Sequence, residues 1–175
     1  MTHEQRIAAT AAAFEAAMSR LLLRLEEAPD AVAERTSADG GWSAAGIVWH
    51  VAVTNEQFAG LVDGSVPGAS PPEADFEETP FSEITSIVPD QLEAPSKFHP
   101  PAGLTRVEAL ERARASRDRM SQAIRTMPES RGFWTVKSIL GMVTVYQVGE
   151  WATAHVARHN RQSKRAIESS VDPVT

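Results

Sequence analysis

The chain contains no cysteine, which excludes disulfides, thiolate metal ligands and a cysteine nucleophile together. Any thiol chemistry needs a thiol brought in by a cosubstrate. Aromatic residues are scarce at 6% and include one tyrosine. Set beside an abundance of alanine, that scarcity suits close packing of small-residue helices better than a β-sandwich. Positive charge is not in excess: 17 basic residues stand against 23 acidic ones, a net of −6. The footprint needed to neutralise a phosphate backbone is therefore missing, and nucleic acid is excluded as an expected partner. No apolar run reaches the roughly 18 residues of a membrane span, and residues 1–6 (MTHEQR) are not the start of a hydrophobic leader. The expectation is a soluble, cytoplasmic protein.

With 175 residues, 42% of them hydrophobic, the chain has material for one core. We expect a single all-α domain over 1–168 and a loose tail over 169–175 that contains Asp172 and Pro173. Ile7, Ala11, Phe14, Met18, Leu21 and Leu25 step by four and three along one helical face, which predicts a helix near 4–28 stopped at Pro29. Trp42 and Ser43 read as the residue before the cap and the N-cap of a second helix near 44–63, with Trp42 able to pack on Ile47 and Gly64 placed for a left-handed end. Its inward stripe is Ile47, Val51, Thr54, Phe58 and Leu61. A capping box of Thr105 and Glu108 opens a helix near 104–127 with the stripe Leu110, Ala113, Arg117, Met120, Ile124 and Met127. After an irregular piece over 131–138, a fourth helix near 139–167 carries Val148, Trp151, His155, His159, Gln162 and Ala166 on one face.

Residues 64–103 hold eight of the eleven prolines and seven acidic residues against Lys97 alone. The acidity of the whole chain is thus concentrated in one connection. A loop of that length can return along a helix of about 30 Å, so that the second and third helices of a four-helix bundle run parallel.

His155 and His159 lie at i and i+4 and project from one face a turn apart. His50 sits at the edge of the inward stripe of the second helix. Three inward imidazoles suit zinc, nickel or ferrous iron, and three ligands with an open fourth position describe a catalytic site. A zinc peptidase helix would need glutamate where Val156 stands. Di-iron bundles would need glutamate at Ala152 and Val156. Ser43 is explained as a cap, in a segment one residue too long for a nucleophile elbow. Trp151 fits either a pocket wall or the core, Gln162 a partner to a ligand or bound water, and Arg117 either an inward anion site or a stem that carries its charge out to solvent. His3 and His99 are expected in solvent. Neither Glu56 nor Glu150 falls on an inward stripe, so no protein general base is apparent. A metal activates a thiol of pKa about 8.5 more easily than water.

Gly41-Trp42-Ser43-Ala44-Ala45-Gly46-Ile47-Val48-Trp49-His50, with His155-Val-Ala-Arg-His159-Asn-Arg-Gln162 a hundred residues later, resembles the DinB/YfiT-like superfamily of bacterial four-helix bundles. The resemblance implies an up-down-down-up bundle with the long acidic, proline-rich crossover between helices 2 and 3. It implies a zinc or nickel ion held by His50, His155 and His159, and an activity as a thiol S-transferase using a low-molecular-weight thiol such as mycothiol or bacillithiol. A metal-dependent hydrolase and a non-catalytic metal-binding stress-response module are the alternatives it carries. His155 departs from the glutamate that opens the late motif in the mycothiol-dependent isomerase branch. The expected partners are a small-molecule substrate and a second copy of the chain, with neither nucleic acid nor membrane.

Overall fold

The computed structural model describes residues 1–37, 40–86, 93–139 and 141–170. It is mostly helical: α1 (His3–Glu27), α2 (Asp30–Ala33), α3 (Ala44–Asp63), α4 (Phe81–Ser86), α5 (Arg106–Thr126), α6 (Glu129–Gly132) and α7 (Val145–Ser170). Three short strands accompany the helices: β1 (Ala69–Ser70), β2 (Thr135–Ser138) and β3 (Gly141–Thr144). The four long helices pack pairwise, α1 on α7 and α5, and α3 on α5 and α7. The predicted stripes supply the core between them. Phe14, Met18, Leu21 and Leu25 are 0% exposed and meet Val48, Val51, Met120 and Ile124, each large side chain contributing about 1.5–3 kcal/mol by leaving water. No helix of the described residues is long and apolar enough to cross a membrane.

Local chemistry sets the helix ends. The Ser43 hydroxyl accepts from the Gly46 amide, and the Thr105–Glu108 box closes in both directions. Gly64 ends α3 at φ +86°, where a Cβ would be strained. Arg131 then caps the same end, donating from Nε to the Val62 carbonyl at 2.7 Å and from Nη2 to that of Leu61 at 2.6 Å, a cation on the negative pole of the helix.

Polar pairs tie the long helices together. Arg112–Glu56 (2.7 Å) and Arg119–Asp63 (3.4 Å) join α5 to α3. Arg125–Glu15 (2.9 Å) and Arg114–Glu26 (2.7 Å) join it to α1. Arg6–Glu150 (2.8 Å) and Arg24–Asn160 (2.9 Å) join α1 to α7.

The structure corrects the sequence reading at several points. The last helix begins at Val145, not 139, because β2 and β3 pair antiparallel ahead of it, with Thr135 facing Thr144 and Ser138 facing Gly141. Thr144 and Gln147 build a capping box there: the Gln147 amide donates to the Thr144 hydroxyl at 3.2 Å and the Thr144 amide to the Gln147 side chain at 3.0 Å. Leu140, within the expected span of that helix, lies outside the described residues. So do Asp90 of the acidic connection and Asp172 and Pro173 of the expected tail. Ser169 and Ser170 of that tail are helical. The acidic connection is not bare coil, since β1, α4 and a 3₁₀ turn at Ser96–Phe98 fall within it, and β1 pairs with β2. Arg117 does not point into the core. Ser116, 1% exposed, takes the inward place and satisfies its hydroxyl on the Ala113 carbonyl at 2.9 Å.

Candidate metal centre

His50 is carried by α3 two turns after the Ser43 cap, and His155 and His159 by successive turns of α7, which packs on α3. One ring nitrogen from each comes within 4.8 Å of the others. Nε2 of His50 and Nε2 of His155 are 3.3 Å apart, and the His155 and His159 ring centres 4.3 Å. Two nitrogens bound at about 2.0–2.1 Å to a tetrahedral zinc lie about 3.3 Å from each other.

The second nitrogens decide which atoms face inward. His50 donates from Nδ1 to the Phe98 carbonyl at 3.1 Å, and His159 from Nδ1 to the Gln162 side-chain oxygen at 2.7 Å. Both neutral rings therefore present a bare Nε2 to the centre, the arrangement in which an outer partner fixes a ligand's tautomer. His155 has no such partner: its Nδ1 is buried with none among the described residues. If its Nε2 donates to His50, Nδ1 is an unsatisfied buried acceptor; if not, two lone pairs face each other. Either state is costly, and a cation among the three nitrogens relieves the second. The donor set thus fits a divalent metal.

Electrostatics favour the same protonation state. Burial holds His50 below the ordinary histidine range, with His99 adding to the depression against the raising effect of the Phe98 bond. Burial lowers His159 to about 4, and the charges of His50 and Arg158 act in the same direction. Burial also holds His155 well below the usual value. All three imidazoles are neutral near pH 7 and need lose no proton to bind a metal.

The centre opens on a cavity of about 1130 Å³. Trp151 and Gln162 line it; Arg117 does not, and pairs with Asp118 at 2.8 Å. Residues that the sequence reading passed over also line it. Phe98 and His99 arrive from the acidic connection; His99 is exposed, as expected, while its ring stands edge-on to Trp42 at 5.3 Å between centres. His3 is likewise engaged, its Nδ1 2.6 Å from the Tyr146 hydroxyl. Trp42, Phe58, Lys137, Arg158 and Arg165 complete much of the wall. Nothing in a one-dimensional pattern marks a backbone carbonyl such as that of Phe98, whereas the Trp42–His50 spacing did carry a signal. Glu56 and Glu150 point elsewhere, bound to Arg112 and Arg6.

A family model described as the DinB superfamily matches residues 13–163. No curated protein and no solved structure matches the chain significantly. The match spans most of the chain, from within α1 to the last turns of α7, and encloses all three histidines: the chain belongs to the DinB superfamily.

Proposed function

We propose that the protein is a cytoplasmic, metal-dependent thiol S-transferase in which His50, His155 and His159 hold a zinc or nickel ion. One observation carries the reading: three neutral imidazoles gather at the wall of a large cavity with no carboxylate in the cluster. A bound divalent ion would supply the positive charge that lets a cosubstrate thiol ionise near neutrality. The chain's own groups then have separate tasks. Phe98 and Gln162 orient two of the ligands, and Trp42, Phe58 and Trp151 offer an apolar wall for an electrophile. A hydrolase would be served by a general base beside the attacking water, and Glu56 and Glu150 are engaged away from the cluster. Glu93, the one carboxylate among the described residues lining the cavity, is not part of the histidine cluster, which favours a thiol over water.

We also assign an up-down-down-up bundle. Moving seven residues along α3 from Glu56 to Asp63 moves seven along α5 from Arg112 to Arg119, as parallel helices require. Glu15 and Glu26 of α1 meet α5 in the opposite order.

The test is a screen of zinc- and nickel-loaded protein with low-molecular-weight thiols and chlorodinitrobenzene, beside an ester and amide panel. The reading expects metal-dependent thioether formation, with the thiol proton passing to solvent and chloride leaving. It expects this activity to vanish in the His155→Ala/His159→Ala variant. Metal-dependent ester or amide hydrolysis without thiol, faster than the transfer, would overturn it in favour of a hydrolase; inactivity in every combination would favour a binding module.

A further inference from the structure

The chain is poor in aromatic residues, yet its cavity is not. Trp42, Phe58, Phe81, Phe98 and Trp151, five of the eleven tryptophan, tyrosine and phenylalanine residues, line it. Three of these rings are placed against the candidate ligands themselves. Between ring centres Trp42 lies 5.0 Å from His50, Phe58 5.9 Å and edge-on to His155, and Phe98 6.4 Å and edge-on to His50. The apolar surface therefore reaches the imidazoles. Outward it continues to Ile139, which lines the same cavity and is 74% exposed. A molecule that fills the cavity takes that side chain out of water as well.

The polar groups of the wall are mostly bonded within the protein. Thr54 donates from Oγ1 to the His50 carbonyl at 2.8 Å. Gln147 donates from Nε2 to the Thr79 carbonyl at 2.5 Å and accepts at Oε1 from the Thr144 amide at 3.0 Å. The Gln162 oxygen accepts from His159. Gln57, half-buried, makes no hydrogen bond among the described residues and is left for a ligand. Glu93, Lys137 and Arg165 are exposed and keep their water, and Arg158 has an interaction of its own. A charged or highly polar ligand would lose water here and find few partners.

We propose that the cavity takes an uncharged, largely apolar molecule with few hydrogen-bonding groups, and selects it by the apolar area that it buries. The inference rests on the transferase reading for the use made of that molecule, as the electrophile, and deepens it by naming the class. Recognition of the apolar body needs no metal.

The probe is the neutral dye N-phenyl-1-naphthylamine, titrated by its fluorescence into the protein as purified and again after chelation, then displaced by hexanol, octanol, decanol and octanoate. The expected result is one dye site per chain in both preparations, with alkanol affinity rising about fourfold per methylene and octanoate weaker than octanol. Phe58→Ala should weaken the dye about tenfold or more, and Ile139→Ser, at a position too exposed to govern folding, about threefold or more. No dye binding, an alkanol affinity that is flat with chain length, octanoate tighter than octanol, or an Ile139→Ser protein that binds the dye like wild type would overturn the proposal. Dye binding that survives chelation in a protein without transferase activity would leave this inference standing and sink the other. Thiol transfer by a protein that does not bind the dye would do the reverse.

Discussion

Replacing His155 by leucine should move the stability of the metal-free and metal-loaded protein in opposite directions. In the metal-free chain His155 carries a buried Nδ1 without a partner, and its Nε2 sits 3.3 Å from that of His50. Removing a buried unsatisfied polar group returns about 1–3 kcal/mol, and leucine of similar size keeps contact with Phe58, whose ring centre is 5.9 Å from that of His155. For a domain of this size each kcal/mol moves the melting temperature by about 2–4 °C, so chelated His155→Leu should melt roughly 2–12 °C above chelated wild type. Metal reverses the order. At a free concentration a hundredfold above its dissociation constant, a ligand confined to the folded state adds about 2.7 kcal/mol, a gain available to wild type and lost with a ligand. Calorimetric melts of both proteins, in chelator and in excess zinc, measure all four quantities. The reasoning fails if the chelated variant is less stable than wild type by more than about 1 kcal/mol, or if zinc raises its melting temperature as much as that of wild type.

Gln162→Leu removes the oxygen that accepts from His159 Nδ1, and should weaken zinc binding about 10–100-fold with little change in the metal-free melt; competition against a chromophoric chelator measures it, and an unchanged affinity would count against the role. Acid should destabilise the metal-free fold in a defined window. Burial depresses the three histidines in the folded state, His159 to about 4, so the unfolded chain takes up protons first; stability is whole above about pH 6.5 and is lost as pH falls toward 4. For His159 alone the loss between pH 7 and pH 4.5 is about 2 kcal/mol, visible in urea unfolding at the two pH values, and a stability that holds or rises on acidification would contradict the assignment. Gly132→Ala would drive a methyl group into the Tyr146 ring, and overpacking of that kind costs about 1–3 kcal/mol; a melting temperature equal to that of wild type would show that the contact relaxes.

The four long helices were legible because their apolar residues keep strict helical spacing, and their ends because Ser43, Gly64 and Thr105 are residues whose chemistry suits little else. Arg117 shows where periodicity runs out. Between Ala113 and Met120 the steps three-then-four and four-then-three both fit a helix, and the choice fell to Ser116, small enough to be buried and able to bond its own turn. The start of α7 was written in Thr144 and Gln147, a box overlooked because the β-branched run Val143, Thr144, Val145 continues into the helix without a break. Of the metal centre, the three imidazoles were legible from register. The Phe98 carbonyl, His99 and the rest of the cavity wall were not, because each depends on where a long connection or a second element comes to rest.

The contact from the Phe98 carbonyl to His50 makes the centre sensitive to the position of a backbone atom and indifferent to the side chain it belongs to. Every residue offers a carbonyl, so exchanges at position 98 leave the acceptor in place and cost only what the aromatic edge contributes across 6.4 Å between ring centres. Displacing the Ser96–Phe98 turn instead takes the carbonyl from Nδ1 and leaves the His50 ring without the partner that fixes its tautomer. The position of this turn, more than its side chains, is the property a redesign must keep.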